Sequence, residues 1–221
     1  MDKHIIPSII AGSQAELDER IGKVKDLVEW IQLDVMDGRF VKNKSLDFDF
    51  ILPTTSCRFE AHLMVHDPID WIEKNGTKVD TIILHEETCR GQDKHDAIRK
   101  KVAALGKNLG LAIKPDTQYE MIQHCLEYIH IILVMTVKPG NYGAKFLPEM
   151  LKKVKQMRKD HPGLEIEVDG GISLDTIGKA NDAGANRFVV GSYLQDAEDV
   201  SSAIDALKKE IRKKGGSDGP D

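Results

Sequence analysis

Short runs of apolar and often β-branched residues recur at fairly regular intervals along the chain. Eight of them have the length of strands: Ile5–Ile10, Trp30–Val35, Arg58–Val65, Thr81–His85, Leu109–Ile113, Ile131–Val137, Leu164–Asp169 and Arg187–Val190. Each run is almost continuously hydrophobic, which is typical of strands that are buried on both faces of a parallel sheet.

Segments with helical spacing separate these runs. In Gln14–Val28 the apolar residues form one stripe, and charged residues occupy the other positions. The other predicted helices are Leu46–Leu52, Pro68–Lys74, Asp96–Leu105, Thr117–Leu126, Pro148–Arg158, Leu174–Ala183 and Asp199–Ile211.

Strand and helix therefore alternate eight times, which predicts an α/β fold with a parallel sheet. Eight repeats favour a closed (β/α)₈ TIM barrel, and an open doubly wound sheet is the alternative. The first strand is not followed by GxGxxG, which disfavours a dinucleotide-binding fold. We predict one catalytic domain over residues 1–214 and a flexible tail over residues 215–221, which are rich in Gly, Ser, Asp and Pro.

Net charge and the lengths of the apolar runs limit the classes of molecule that the chain is expected to bind. A formal net charge of −5 gives no electrostatic reason to expect nucleic-acid binding, whereas phosphate binding needs only a local positive potential. No apolar run has the length of a membrane span, and the N-terminus lacks the pattern of a signal peptide. We therefore expect a small-molecule ligand, with neither nucleic acid nor membrane as partner.

The three cysteines, Cys57, Cys89 and Cys125, are widely spaced, and none forms a CxxC pair. This spacing disfavours a disulfide framework and a structural zinc knot, and it favours a reducing cytoplasmic environment.

Polar residues interrupt three of the apolar strands near their C-terminal ends, where TIM barrels carry their reactive groups. Gln32 and Asp34 are two residues apart, so both face the barrel interior. Asp169 ends the seventh strand, and His62 lies on the third. A single aspartate at a strand end is equally consistent with a capping role, but this combination favours a functional site.

Two carboxylates across a cavity suit one reaction type. One removes a carbon-bound proton from one face of the substrate, and the other returns a proton to the opposite face, through a planar enediolate. Asp34 and Asp169 are the candidates for these roles. A divalent metal between them would stabilise the enediolate oxygens as a Lewis acid.

Glycine-rich turns follow the last three strands. They are Val137–Gly143, which contains Gly140, then Asp169-Gly170-Gly171, and Gly191-Ser192. Glycine lets backbone N–H groups approach an anion, and the late loops of TIM barrels commonly bind phosphate. The three turns together predict a phosphate site. Met36, Met64 and Met135 fall near strand ends, where they either fill the core or form an apolar lining beneath a sugar.

Two further residues are ambiguous. His85 either caps its strand or contacts the substrate, and Lys114 is either a Schiff-base lysine or part of a structural turn before Pro115. We expect the remaining histidines on the surface or in loops, without a function: His4, His66, His95, His124, His130 and His161.

Several blocks of the sequence together resemble the ribulose-phosphate 3-epimerase family, from Pro7 to about Ala206. The blocks are Pro7–Ile9, Leu33–Val41, Ala61–Met64, Leu111–Pro115, Val134–Gly140, Glu167–Ile172 and Gly191–Ser192, in the order of the family. The resemblance implies a (β/α)₈ barrel that interconverts D-ribulose 5-phosphate and D-xylulose 5-phosphate in the pentose phosphate pathway. It also implies a homo-oligomer, a dimer or larger.

The resemblance carries specific roles over to this chain. It implies acid/base roles for Asp34 and Asp169, and a divalent metal (zinc, iron, manganese or cobalt) held by both aspartates and by histidines that include His62. It places Ser8 near the substrate. It assigns the phosphate cradle to Gly143, Gly170, Gly171, Gly191 and Ser192.

The chain departs from the family pattern at two places. Gln32 replaces a metal-binding histidine, and an amide oxygen is a weaker ligand that suits harder metals. In the loop after the sixth strand, Asn141-Tyr142 stands where the family has glycine-rich sequence, which is expected to reshape the cover over the sugar. Three alternatives therefore accompany the pentulose epimerase: an epimerase for a hexulose 6-phosphate, a non-catalytic sugar-phosphate-binding relative with a weakened metal site, and a Schiff-base lyase that uses Lys114.

Overall fold

A closed ring of eight parallel strands forms the centre of the protein. A computed structural model describes residues 1–139 and 143–213. The strands are β1 (His4–Ile9), β2 (Trp30–Asp37), β3 (Arg58–Met64), β4 (Thr81–His85), β5 (Asn108–Ile113), β6 (Ile131–Met135), β7 (Glu165–Asp169) and β8 (Arg187–Val190). Each strand pairs with its successor, and β1 pairs with both β8 and β2, so the sheet closes. The predicted TIM barrel is confirmed, and the open-sheet alternative is excluded.

Helices surround this ring. The longer ones are α1 (Gln14–Val24), α2 (Pro68–Asn75), α3 (Gln92–Ala104), α4 (Leu151–Asp160), α5 (Leu174–Asp182) and α6 (Val200–Arg212). Side chains that accept backbone N–H bonds cap four of their N-termini: Ser13, Asp67, Ser173 and Asp199. No helix in the described ranges combines the length and apolar character needed to cross a bilayer.

The core has two layers because alternate strand residues point in opposite directions. Residues that point outward, such as Leu33, Ile82 and Val168, pack against the apolar stripes of the helices. Residues that point inward, such as Ile83 and Leu133, fill the barrel. Buried polar side chains interrupt the inner layer, and these define the candidate site.

The predicted helix over Leu46–Leu52 is wrong. Lys44–Ser45 instead forms a two-residue strand that is antiparallel to the end of β2. Leu46 then takes a left-handed backbone with φ of 54°, which ends any regular structure, and its N–H donates to the Ala11 carbonyl. Leu46 and Phe50 are both buried, so an irregular loop with two apolar residues at helical spacing produced the misleading pattern.

Two other segments differ from their predictions. Thr117–Leu126 is a 3₁₀ helix over Tyr119–Cys125 and not an α-helix, with i to i+3 bonds such as Leu126 N–H to the Gln123 carbonyl. The third long helix begins one turn earlier than predicted, at Gln92. His95 consequently lies on its buried face, so the expected surface position of this histidine is wrong.

Candidate active site at the barrel mouth

The strand register brings the predicted polar residues to one end of the barrel. Asp34 on β2 pairs in register with His62 on β3. Asp169 ends β7, which lies across the mouth from β2, with β8 and β1 between them in the ring. Asp34 and His62 are buried, and Asp169 is largely covered, so water screens these charges poorly.

One imidazole joins the two acids. His62 Nδ1 lies 3.3 Å from Asp34 Oδ1 and 3.2 Å from Asp169 Oδ2. The Gln32 amide nitrogen donates to the same two oxygens, over 2.8 Å to Asp34 and 3.1 Å to Asp169. Two carboxylates from separate walls therefore meet around a shared pair of neighbours.

This arrangement shifts the pKa values of both partners. Burial raises the pKa of the Asp34 carboxyl, and the nearby Asp169 charge adds to the effect. Burial alone would lower the pKa of His62, but the contacts with Asp169 and Asp34 outweigh it and raise that pKa to about 10. These contacts favour the imidazolium form of His62 between the two acids.

A chain of buried groups supports His62 from behind. Its Nε2 lies 2.9 Å from Nε2 of His85, and Nδ1 of His85 lies 3.1 Å from Glu87 Oε2. Burial lowers the pKa of His85 to about 4, so its ring is neutral: its Nε2 can accept a hydrogen bond from His62 while its Nδ1–H donates one to Glu87. Burial opposes ionisation of Glu87, but hydrogen bonds with His85 and Thr117 lower its pKa to about 2. His85 therefore orients His62 and does not merely cap its strand.

The same donors fit a divalent cation. Asp34, His62 and Asp169 each offer one ligand atom, and these atoms lie within 4.8 Å of one another. Gln32 Oε1 and His62 Nδ1 are buried without hydrogen-bond partners. A half-turn of the Gln32 amide would point its unpaired oxygen at the cluster in place of the nitrogen. Oxygen and imidazole ligands of this kind suit several divalent metals.

The late loops form a cradle of glycines near the acids. Gly143, Gly170 and Gly171 have φ values of 68°, 116° and 66°, a region that other residues rarely adopt. A Cβ on Gly170 would lie 2.3 Å from Val137, so only glycine fits there. A Cβ on Gly191 would lie 3.0 Å from the Ser8 hydroxyl oxygen.

A cavity of about 90 Å³ lies inside this set of residues. Both predicted catalytic acids, Asp34 and Asp169, line it. So do all the predicted substrate-binding residues that the structure describes except His62: Ser8, Met36, Met64, Met135, Gly143, Gly170, Gly171, Gly191 and Ser192. His62 lies beneath the acids and does not line it. Gly140, Asn141 and Tyr142 lie outside the described residues, as does the predicted tail.

A larger cavity of about 630 Å³ adjoins the first and shares Ser8, Ile10, Met36 and Asn43 with it. It contains neither acid of the pair, so the smaller cavity is the candidate site of the chemistry.

Basic residues line a separate hollow at the same end of the barrel, among them Arg39, Lys42, Lys114 and Lys138. The Lys114 amine lies 3.7 Å from the centre of the Phe40 ring and does not line the cavity between the acids. This position disfavours the Schiff-base alternative.

The sequence pattern did not single out a second buried charge cluster, which lies deeper in the barrel. The Arg187 guanidinium pairs with Glu60 and with Glu167, the latter over 2.7 Å, and all three side chains are at most 3% exposed. The Trp30 ring lies 4.6 Å from the same guanidinium. The inward positions of these residues follow from strand alternation, but their pairing across the barrel depends on closure.

Comparisons with known proteins agree with this geometry. The sequence profile of the ribulose-phosphate 3 epimerase family matches residues 4–195. Ribulose-phosphate 3-epimerase of Schizosaccharomyces pombe is 36% identical over 219 residues, which cover 95% of this chain and 94% of that relative. The cytoplasmic isoform from Oryza sativa subsp. japonica is 36% identical over 217 residues, covering 94% and 93% of the two chains.

Solved structures support the fold. The 3-keto-L-gulonate-6-phosphate decarboxylase of Vibrio cholerae superposes with a TM-score of 0.71 at 12% identity, covering 96% of this chain and 98% of that one. The 3-hexulose-6-phosphate synthase of Salmonella typhimurium gives a TM-score of 0.69 at 14% identity, covering 94% and 98%. Such low identities show a shared barrel alone. From the profile match and the two curated relatives, the chain belongs to the ribulose-phosphate 3-epimerase family.

Proposed function

We propose that this protein is an epimerase that inverts C3 of a ketose phosphate, and that it interconverts D-ribulose 5-phosphate and D-xylulose 5-phosphate. The observation that carries the proposal is the meeting of Asp34 and Asp169, from separate walls of the barrel, at one small cavity. The names of the curated relatives support the choice of substrate.

In the proposed mechanism, one carboxylate takes the C3 proton and the other returns a proton to the opposite face. Asp34 acts as the acid when Asp169 acts as the base, and the roles reverse for the other epimer. The Gln32 amide and His62 hold both carboxylates in place.

A divalent metal is proposed as cofactor, with zinc, iron, manganese and cobalt as the candidates. Asp34, His62 and Asp169 would hold it, with the Gln32 oxygen as an additional donor. When bound, the metal supplies Lewis-acid stabilisation of the negative charge that develops on the enediolate oxygens.

The cradle of late-loop residues is proposed to bind the phosphate group. Gly143, Gly170, Gly171 and Gly191 offer backbone that an anion can approach closely, and Ser192 adds a hydroxyl donor. Ser8 lies beside Gly191 and is placed to contact the sugar. Met36, Met64 and Met135 would form the apolar surface under the carbon chain.

The direct test is turnover of purified protein on a panel of ketose phosphates, with each candidate metal supplied separately. We expect epimerisation of ribulose 5-phosphate, a loss of about 10²–10⁴-fold for Asp34→Asn, and no change for Asp49→Asn, a surface control. Preference for a hexulose 6-phosphate would select the alternative epimerase. Binding without turnover on any sugar of the panel would select the non-catalytic alternative and overturn the proposal.

We further propose action in the pentose phosphate pathway, a cytoplasmic location and a homo-oligomeric state. The three free cysteines are consistent with a reducing compartment. Light scattering of the purified protein tests the assembly, and a monomeric mass at micromolar concentration would contradict it.

A further inference from the structure

A second group of side chains of the types that bind metals lies on the outer wall of the barrel. Its donor set differs from that of the acid pair. His95 on α3 and Cys125 on the 3₁₀ helix Tyr119–Cys125 are buried, whereas His124 is exposed. One donor atom from each of the three lies within 4.8 Å of the others. Sequence spacing concealed this group, because His95 is 30 residues from Cys125 along the chain.

The distances from the Cys125 sulfur to the two histidine nitrogens are close to those of tetrahedral coordination. Cys125 Sγ lies 3.3 Å from Nε2 of His124 and 3.9 Å from Nδ1 of His95. Zinc bonds of about 2.3 Å to sulfur and about 2.0–2.1 Å to nitrogen place such donors roughly 3.5 Å apart in a tetrahedron. Both distances to sulfur are therefore close to the tetrahedral value, and the donor atoms of the two histidines lie within 4.8 Å of each other.

The far side of the His95 ring has the partner that a metal-bound histidine usually has. Nε2 of His95 lies 3.1 Å from Oε2 of Glu86, which is an ion-pair distance. Both atoms are buried, and neither has another hydrogen-bond partner. A carboxylate in this position fixes the ring orientation and makes the other nitrogen a better ligand.

Two neighbouring groups, the Tyr128 hydroxyl and the Cys89 thiol, also lie close to His95. The Tyr128 hydroxyl lies 3.3 Å from Nδ1 of His95 and would donate to it when no metal is bound. Cys89 also lies close to Glu86 and His95, but its thiol faces the backbone carbonyl of His85 at 3.2 Å. Burial raises the pKa of the Cys89 thiol, so it stays protonated and is a poor ligand.

We propose that His95 Nδ1, His124 Nε2 and Cys125 Sγ form a structural site for a thiophilic divalent cation, zinc foremost, that ties α3 to the neighbouring 3₁₀ helix. The histidines bind as neutral rings, so any proton on Nδ1 of His95 leaves together with the Cys125 thiol proton, both to solvent, when the metal binds. The exposed side of His124 leaves the fourth position to water. This site shares no ligand with the cluster of Asp34, His62 and Asp169.

Cobalt titration of the metal-stripped protein tests the proposal. The acid-pair cluster has only oxygen and nitrogen donors, so a sulfur-to-cobalt charge-transfer absorption reports the outer site alone. We expect this absorption to saturate at one cobalt per outer site in the wild type and in Cys57→Ser, which alters another buried cysteine, while cobalt bound by the acid pair adds no sulfur absorption. Cys125→Ser should abolish it.

Two further variants keep the test sharp should Cys125→Ser fail to fold. Glu86→Gln should weaken cobalt affinity about 10–100-fold. His124→Asn changes an exposed side chain and should weaken cobalt affinity at least as much. Circular dichroism checks folding, and epimerase turnover tests the proposed function separately. Absence of the sulfur absorption in the wild type, its persistence in Cys125→Ser, or unchanged affinity in both other variants would overturn the site.

Discussion

Gln32 is the residue that most distinguishes this site. Its amide nitrogen contacts both members of the acid pair, while its buried oxygen has no hydrogen-bond partner in the described structure. When its nitrogen faces the acids, the amide therefore donates hydrogen bonds that reduce the repulsion between Asp34 and Asp169. The opposite orientation offers an oxygen to a cation. A neutral histidine at this position would have a single N–H donor, whereas the Gln32 amide nitrogen has two.

Replacing this amide by imidazole should strengthen metal binding. We expect Gln32→His to raise zinc affinity at the barrel mouth by at least about tenfold, the smallest change typical of a single supporting group. Calorimetric zinc titration in a Cys125→Ser background isolates this site from the outer one. Equal affinity in the two proteins would mean that Gln32 is not near the bound metal.

Strand alternation and the family resemblance predicted Asp34, Asp169, His62 and the late glycines. They could not predict which residues share a proton or a charge. The links from His62 to His85 and Glu87 arise from contacts between neighbouring strands and loops, and strand patterns do not encode them.

At the scale of elements, Glu87 ties the end of β4 to the turn after β5. Its carboxylate accepts from the Lys114 backbone N–H at 3.1 Å and from the Thr117 hydroxyl, and it contacts His85. These bonds stabilise the ionised form, which connects two loops at the mouth.

Acid should weaken this connection. The pKa of Glu87 falls from 4.5 to about 2 on folding, so its contribution to stability is complete above pH 4.5 and is lost as the pH drops towards 2. Urea unfolding at pH 6 and at pH 3 should show a smaller loss of stability in Glu87→Gln than in the wild type. An identical pH dependence in both would contradict this role.

The second buried charge cluster, formed by Arg187, Glu60 and Glu167, joins β3, β7 and β8 through the Arg187 guanidinium. Removing it leaves Glu60 and Glu167 facing each other without a cation, and burial already raises the pKa of both. We expect Arg187→Leu to lower the free energy of unfolding by about 3–5 kcal/mol. The exposed Arg99→Leu should cost less than about 1 kcal/mol, and similar costs for both in urea unfolding would argue against this role of the cluster.

Element prediction succeeded where hydrophobic period and length agreed, as in all eight strands. It failed at Leu46–Leu52 because two buried residues four positions apart, Leu46 and Phe50, imitate a helical stripe. It missed the early start of α3 because the buried residue of the first turn, Gln92–His95, is a histidine and not an apolar residue.

At the scale of the whole molecule, the chain is acidic, yet one hollow at the mouth is lined by several cations. This local field should attract a phosphorylated sugar. We expect kcat/KM to fall as ionic strength rises, and the double variant Lys42→Gln, Lys138→Gln to show a lower kcat/KM and a weaker salt dependence. The control is Lys159→Gln, which changes a lysine in the last turn of α4 that does not line this hollow. An unchanged salt dependence in the double variant would exclude steering by this rim.

The exchange of the C3 proton with deuterium oxide tests the two-carboxylate mechanism most directly. With one acid replaced, the remaining carboxylate can remove and return a proton on its own face only. Asp34→Asn and Asp169→Asn should therefore lose epimerisation, and each should exchange the C3 proton of one epimer, a different epimer for each variant. If both variants exchanged the same epimer, or either exchanged both at the wild-type rate, the two acids would not act on opposite faces of the sugar.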